Sequence, residues 1–252
     1  AKLVDKTIED LSTVRADVGS KDKPDLQPVL YEKDDALWFK ATAYGDDKDR
    51  VLRKSGGNWT YITPDIAYHR DKLQRGFEML INVWGADHHG YIPRMRAALE
   101  ALGFDAKKHF HVILIQMVRL MRGGVEVKMS KRSGSFVTLQ EVIDEVGSDA
   151  ARYLMLVRSS DSNYDFDLDL AKTQSNDNPV FYVQYGHARV CQVFRKAREE
   201  APGITPALDE AALAALTAPM ERDLIKRLAR FPEEVAAAAG KREPHRLPAY
   251  LQ

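Results

Sequence analysis

A single cysteine, Cys191, stands in a chain of 252 residues. That excludes an internal disulfide and a cysteine-built zinc site, and it fits a reducing cytosol. A charge bias is lacking too, because 37 Lys and Arg balance 37 Asp and Glu. Net charge therefore does not advertise a nucleic-acid binder, although a local basic patch needs no overall excess. No apolar run is long enough to cross a membrane, and the opening Lys2-Leu3-Val4-Asp5-Lys6 has no apolar signal core. The expectation is a cytoplasmic protein without a membrane partner. An initiator Met is missing as well, so either the chain begins inside a longer protein or its start has been processed. No internal repeat is present. What remains is a composition of 44% hydrophobic and 29% charged residues, that of a soluble globular protein with one large or two smaller domains.

Residues 1–35 are polar and poorly patterned, and Ser20 to Pro28 reads as a loop. Ala36 to Lys40, Arg50 to Lys54 and Trp59 to Ile62 read as short strands of an antiparallel meander, with turns at Gly45-Asp46-Asp47 and Gly56-Gly57-Asn58. A helix follows, with Thr63 as its N-cap, Pro64 at its first position and Gly76 ending it near Arg75. Met79 to Trp84 is an apolar run interrupted by the polar Asn82, and it leads directly into Gly85-Ala86-Asp87-His88-His89-Gly90. From Pro93, Met95, Ala98, Leu99 and Leu102 share one face of a second helix that Gly103 stops. His111 to Val118 is the next strand. This order predicts a parallel sheet with helical crossovers, in which ligands bind at the carboxyl ends of the strands.

Beyond Gly123-Gly124 lies a charged loop, Lys128-Met129-Ser130-Lys131-Arg132. Thr138 and Glu141 form a capping box for a helix ending near Gly147, and Ser148 caps the next. A long helix runs from Asn178-Pro179 to about Glu200, with Phe181, Ala188, Cys191 and Phe194 near one face. The rest is Ala- and Leu-rich helix broken at prolines. The fold class is α/β followed by all-α, with the change between residues 145 and 178.

Three stretches carry chemistry. Lys128 and Lys131 sit three apart on a loop bounded by glycines. They either close over a polyphosphate or form a solvated basic loop. In Gly85-Ala86-Asp87-His88-His89, glycine permits close backbone approach and Asp87 can accept from ribose hydroxyls; the alternative is a sheet-end turn with surface histidines. Two adjacent histidines with no third ligand nearby make a weak metal case, so no metal site is assigned. Tyr61 and Asp65 lie four apart at a strand-to-helix junction. Asp65 either pairs with a guanidinium or is a favourable charge near a helix N-terminus.

Together these motifs resemble a known family. Lys128-Met129-Ser130-Lys131-Arg132 is similar to the K-M-S-K-S signature of class I aminoacyl-tRNA synthetases, with four of five positions matching. Ala36-Leu37-Trp38-Phe39-Lys40, Asp49-Arg50-Val51-Leu52 and Tyr61 to His69 resemble the arginyl branch. Asp177 to Arg189 is similar to the first helix of that branch's anticodon-binding domain. For Phe181 and Tyr185 the residues themselves favour core packing of a long helix.

The resemblance implies ATP-dependent activation of arginine and its transfer to the terminal ribose of tRNA, with MgATP, arginine and tRNA as partners. It assigns Gly85, Asp87, His88, His89, Lys128, Met129, Ser130 and Lys131 to ATP, and Tyr61, Asp65 and His88 to arginine. Lys128 and Lys131 carry the catalytic role. It implies a second half of a Rossmann-like catalytic domain over residues 1–145, holding a β-meander at about 36–62. A connecting helical segment over 146–177 and an incomplete helical bundle over 178–252 complete the layout.

Two departures bear on activity. No H-x-G-H occurs, and His88-His89-Gly90 has the wrong order and place for it. The chain also stops within a stretch that resembles the interior of the helical domain. The expectation is therefore the middle of a longer, monomeric enzyme, inactive as it stands and able to self-associate through an exposed sheet edge. The rival readings are a non-catalytic tRNA-binding module and another ATP-using nucleotidylyltransferase.

Overall fold

The computed structural model describes residues 2–20, 22–127, 137–203 and 210–252. The chain divides into two compact units, Ala1–Ile115 and Gln116–Gln252.

The first unit opens with helix α1 (Lys2–Ser12), whose Val4, Thr7 and Leu11 are buried at helical spacing. The short strands β1 (Arg15–Asp17) and β2 (Leu26–Pro28) then pair antiparallel. The stretch from Ser20 to Pro28, expected as a loop, thus ends in a strand, and the poorly patterned residues before it hold a helix and a strand. The apolar stripe of α1 is narrow within a charged run, and strands of three residues show no period of their own.

Strands β3 (Leu30–Lys33), β4 (Ala36–Phe39) and β5 (Arg50–Arg53) form the antiparallel meander. Its third strand is β3, not Trp59 to Ile62. Trp59 makes only an isolated bridge to Arg53, and Ile62 already begins a helix. Arg50 is buried because Asp46 meets its guanidinium with two hydrogen bonds of 2.7 Å each. Burial opposes the charge on Asp46, yet the Arg50 bonds win and hold its carboxyl below the usual range.

Helix α2 (Ile62–Gln74) buries Ile62, Ile66, Ala67, His69 and Arg70. Tyr61, not Thr63, occupies its N-cap position and contributes no side-chain cap. Thr63 is buried and donates to the Leu52 carbonyl at 2.7 Å, so its hydroxyl ties the helix to β5 instead. Arg70 Nε donates to Asp10 Oδ2 at 2.6 Å and fastens α2 to α1.

Strand β6 (Leu80–Gly85) is followed by a 3₁₀ turn (Ala86–Tyr91), helices α3 (Ile92–Ala101) and α4 (Ala106–His109), and strand β7 (Phe110–Ile115). β6 and β7 pair in parallel from Leu80 opposite Phe110 to Gly85 opposite Ile115. This is the predicted crossover. Met95, Ala98 and Leu99 are fully or almost fully buried, and Gly103 ends the helical segment at φ +83°. Full burial of each large apolar side chain contributes roughly 1.5–3 kcal/mol. They join Phe39, Leu52, Ile66, Leu80 and Phe110 in one core. On β6, Asn82 and Trp84 turn inward, while Ile81 and Val83 are exposed.

In the second unit, β8 (Val118–Arg122) pairs antiparallel with β9 (Val125–Glu126). His111 to Val118 is thus not one strand. Chain pairing breaks at Gln116-Met117, and β8 belongs to a different sheet from β7. Helix α5 (Leu139–Val146) carries the predicted Thr138–Glu141 capping box. Helix α6 (Ser148–Leu156) starts at Ser148, with Gly147 at φ +83° in the cap position, so Ser148 is not its cap. Strand β10 (Tyr164–Asp167) returns parallel to β8, and α7 (Leu168–Lys172) follows. Leu120, Val142, Leu154, Phe166, Leu168 and Val180 form this unit's core.

Helix α8 (Pro179–Glu200) is capped by Asn178, whose side chain accepts from Val180 N–H. Only Val180 is buried along its length. Of the expected common face, Ala188, Cys191 and Phe194 are exposed among the described residues, and Phe181 is half-buried. Phe181 and Tyr185 stack on each other at 5.9 Å, and Tyr185 is exposed rather than a core residue. Helices α9 (Glu210–Ala215), α10 (Pro219–Ala229), α11 (Phe231–Lys241) and α12 (Arg246–Leu251) complete the unit. Tyr250 donates to the Arg227 carbonyl at 2.6 Å and contacts Phe231, joining the last three. Among the described residues, no helix is long and apolar enough to cross a membrane.

Candidate functional site

The parallel pair β6–β7 sets the site. Gly85 is the last residue of β6, and the chain turns there into the 3₁₀ segment that holds Asp87, His88 and His89. An added Cβ at Gly85 would lie 2.6 Å from Asp87 Oδ1, so the carboxylate can fold over the strand end because position 85 has no side chain. His88 Nε2 lies 3.7 Å from Asp87 Oδ2, and its ring sits 6.4 Å from that of Trp84. Asp87, His88 and His89 are all exposed.

Asp65 rises from the first turn of α2, where it is exposed. The hydroxyl of Tyr91, at the end of the 3₁₀ turn, donates to Asp65 Oδ2 at 2.7 Å. Burial, reinforced by that bond to a carboxylate, pushes the Tyr91 phenol well above its ordinary pKa. Tyr91 is held on its faces as well. Trp84 meets it edge-on at 5.6 Å, and the Arg94 guanidinium lies 5.0 Å from its ring centre. Asp65 Oδ1 carries no hydrogen bond among the described residues and remains open to a donor.

Beneath Asp65 sits His69, which is buried. Its Nδ1 is 2.8 Å from the Asp65 backbone carbonyl, and its Nε2 is 2.7 Å from the Asn82 amide nitrogen on β6. A carbonyl can only accept and an amide nitrogen can only donate. The two partners therefore assign a neutral ring protonated on Nδ1. Burial holds the imidazole below its ordinary pKa, opposed by the bond to the Asp65 carbonyl.

The structure thus brings Asp65 next to the turn that follows β6, within one unit. Tyr61 is 93% exposed and has no hydrogen bond or ring contact among the described residues. Lys128, Met129, Ser130, Lys131 and Arg132 lie outside the described residues. Tyr91 and His69 were not singled out from sequence as site residues. Asn82, the polar residue within an apolar run, was the visible sign of a polar contact there. Among the described residues, no group of three or more His, Cys, Asp or Glu could hold a metal ion.

A parallel β–turn–α–β unit with a carboxylate at the strand end, followed by helices, has clear relatives. The chain belongs to the family described as tRNA synthetases class I (R), catalytic domain, whose model matches residues 23–169. Residues 183–252 match the DALR anticodon binding domain. Curated relatives are arginine–tRNA ligases. That of Oceanobacillus iheyensis is 57% identical over 221 residues, covering 88% of this chain and 39% of the relative. That of Bacillus subtilis is 54% identical over 222 residues, with the same shares covered. The solved arginyl-tRNA synthetase of Thermus thermophilus superposes with a TM-score of 0.72 at 25% identity, covering 99% of this chain and 48% of that one. The chain therefore spans less than half the length of these relatives.

Proposed function

We propose that this chain is part of an arginine–tRNA ligase that forms arginyl-adenylate from arginine and ATP and transfers the arginyl group to the 3′-terminal ribose of tRNA. The observation that carries this reading is Asp65, held by Tyr91 at the β6 end with one carboxylate oxygen open, in a chain of the class I (R) family. A carboxylate so placed suits a guanidinium, which binds in a two-pronged geometry.

In this reading Asp65 and Tyr61 select the guanidinium, with His88 beside them. Gly85, Asp87, His88 and His89 position the adenosine. The arginine carboxylate attacks the α-phosphorus of MgATP, the bond to pyrophosphate breaks, and the adenylate forms with no covalent enzyme intermediate. Lys128 and Lys131, with Met129 and Ser130 between them, gather negative charge on the departing pyrophosphate. The division of labour is a catalytic part over residues 1–145, a connection over 146–177 and an anticodon-binding part over 178–252. The work takes place in the cytoplasm.

The test is ATP–pyrophosphate exchange with tRNA present, measured on the protein that carries this chain. Exchange should require arginine, and Lys131→Ala should slow it by roughly 10²–10³-fold, the scale for removing one preorganised stabilising group. Exchange driven by another amino acid would overturn the substrate assignment. An undiminished rate in Lys131→Ala would remove the role given to the lysine loop.

A further inference from the structure

Asp65 is tied to the strand β6 region at two points, and only one involves its carboxylate. Tyr91 holds the side chain. The other tie runs through the backbone: Asn82 on β6 donates to His69, and His69 donates to the Asp65 carbonyl. His69 is buried and Asn82 is half-buried. Phe110 of β7 closes the frame from below, edge-on to His69 at 5.5 Å and to Trp84 at 6.0 Å. Trp84 in turn backs Tyr91. The contacts therefore form a closed ring from Asp65 through His69, Phe110, Trp84 and Tyr91 back to Asp65.

This arrangement has a chemical purpose that packing alone does not require. An apolar pair at positions 69 and 82 would fill the same space without buried polar groups, which cost stability unless they are satisfied. Hydrogen bonds add direction. The Nδ1–H tautomer points one bond at the α2 backbone and leaves Nε2 for the strand. That fixes the height and rotation of the α2 turn relative to the strand whose end carries Gly85 and Asp87. Displacements on the order of 1 Å at such a site are costly to a reaction that depends on alignment.

We infer that His69 and Asn82 are positioning residues for substrate arginine, registering the Asp65 turn of α2 against strand β6 through one shared imidazole. The inference rests on the arginine-ligase reading above. It names two residues that set the arginine site, beyond those that touch arginine.

The experiment compares His69→Phe, Asn82→Leu and the double variant in the exchange assay on the protein that carries this chain. Each replacement keeps the approximate shape and removes the hydrogen bonds. The arginine KM should rise about tenfold in each single variant, the scale for losing one directed contact. The double variant should be no worse than the singles, because both break one linkage. The ATP KM and kcat should stay within about threefold, since the reacting groups are untouched. Unchanged arginine KM values overturn the inference, as do additive effects. So does an arginine KM that stays constant while thermal stability falls, which is the mark of a merely structural pair.

Should Asn82→Leu fail to fold, Asn82→Ser, too short to reach the imidazole, takes its place with the same expected outcome. Nitrogen-15 spectra of the histidines give a readout independent of activity. His69 should show a protonated Nδ1 and a bare Nε2 at neutral pH, with the Nε2 resonance moving in the Asn82 variant. The opposite tautomer overturns the inference. Exchange in the unsubstituted protein that ignores arginine would sink the underlying reading itself, and that control separates the two failures.

Discussion

Tyr91 and Asp65 lie 26 residues apart in sequence and share a hydrogen bond of 2.7 Å. The bond joins the turn after β6 to the first turn of α2, so it links the two segments assigned to nucleotide and to arginine. It also occupies one carboxylate oxygen and leaves the other for a ligand. Tyr91→Phe keeps the ring against Trp84 and removes only the hydroxyl. The expected result is an arginine KM raised about tenfold, the equivalent of about 1.4 kcal/mol, with little change for ATP. Thermal stability should fall by no more than about 1 kcal/mol, because the exposed Asp65 carboxylate can turn to water. Steady-state constants for both substrates, measured beside a melting curve, check this. Equal changes for both substrates would refute it.

Asp65→Asn is the sharper substitution. An amide presents donors where a guanidinium also presents donors, so charge and hydrogen bonding are lost together. Removing one partner of a charged, hydrogen-bonded pair costs about 2–4 kcal/mol. The arginine KM should therefore rise roughly 30- to 1,000-fold while the ATP KM moves far less. A parallel loss for both substrates would place Asp65 in the scaffold instead.

Much of this architecture is legible in local sequence because its signals are local. Asn178-Pro179 starts a helix by cap chemistry, Thr138 and Glu141 close a capping box, and Met95, Ala98 and Leu99 fall on one buried face. Each needs only its own few neighbours. The errors occur where a partner far along the chain decides. Thr63 looks like a cap until Leu52 claims its hydroxyl. Trp59 to Ile62 looks like a strand, yet β3 takes that place in the meander. β1 and β2 are too short to carry a period and exist because they pair with each other. The candidate site divides in the same way. Asp65 and the Gly85 turn stand out as motifs, whereas Tyr91 and His69 acquire their contacts only once β6 lies beside α2. Helix α8 shows the reverse case, an apolar pattern of which only Val180 is buried among the described residues.

Acid should weaken the first unit through His69. Burial depresses its pKa in the folded state below the ordinary value of about 6.5, with Lys72 adding to the depression and the Asp65 contacts opposing it. Above that value the ring is neutral in both states and costs nothing. As pH falls below it, the unfolded chain gains a proton that the folded one resists, so stability declines toward the lower, folded-state pKa. The melting temperature should therefore drop as pH falls below about 6.5, and His69→Phe should flatten that part of the curve. An unaltered slope in the variant would show that other groups control the acid limb.

The strongest stability effect in the second unit should come from Asn178. It is buried, and all of its side-chain polar atoms are engaged. Oδ1 accepts from the Val180 N–H at 3.0 Å and thereby caps α8. Nδ2 donates to the Ala171 carbonyl at 3.1 Å and to the Thr173 carbonyl at 2.8 Å, the end of α7 and the residue just beyond it. One amide therefore closes the end of one helix and opens the next. Asn178→Ala removes the cap, which alone costs about 0.5–2 kcal/mol. It also leaves two carbonyls without their donor, and each such buried group costs about 1–3 kcal/mol unless water reaches it. The expected loss is about 2–4 kcal/mol, read by denaturant titration with an unchanged m-value. Asn178→Asp separates the two contributions. Its carboxylate keeps the cap but cannot donate to either carbonyl, so it should recover only part of the loss. If Asp restored full stability, the cap alone would carry the residue's contribution, and the bonds to Ala171 and Thr173 would be incidental to the fold.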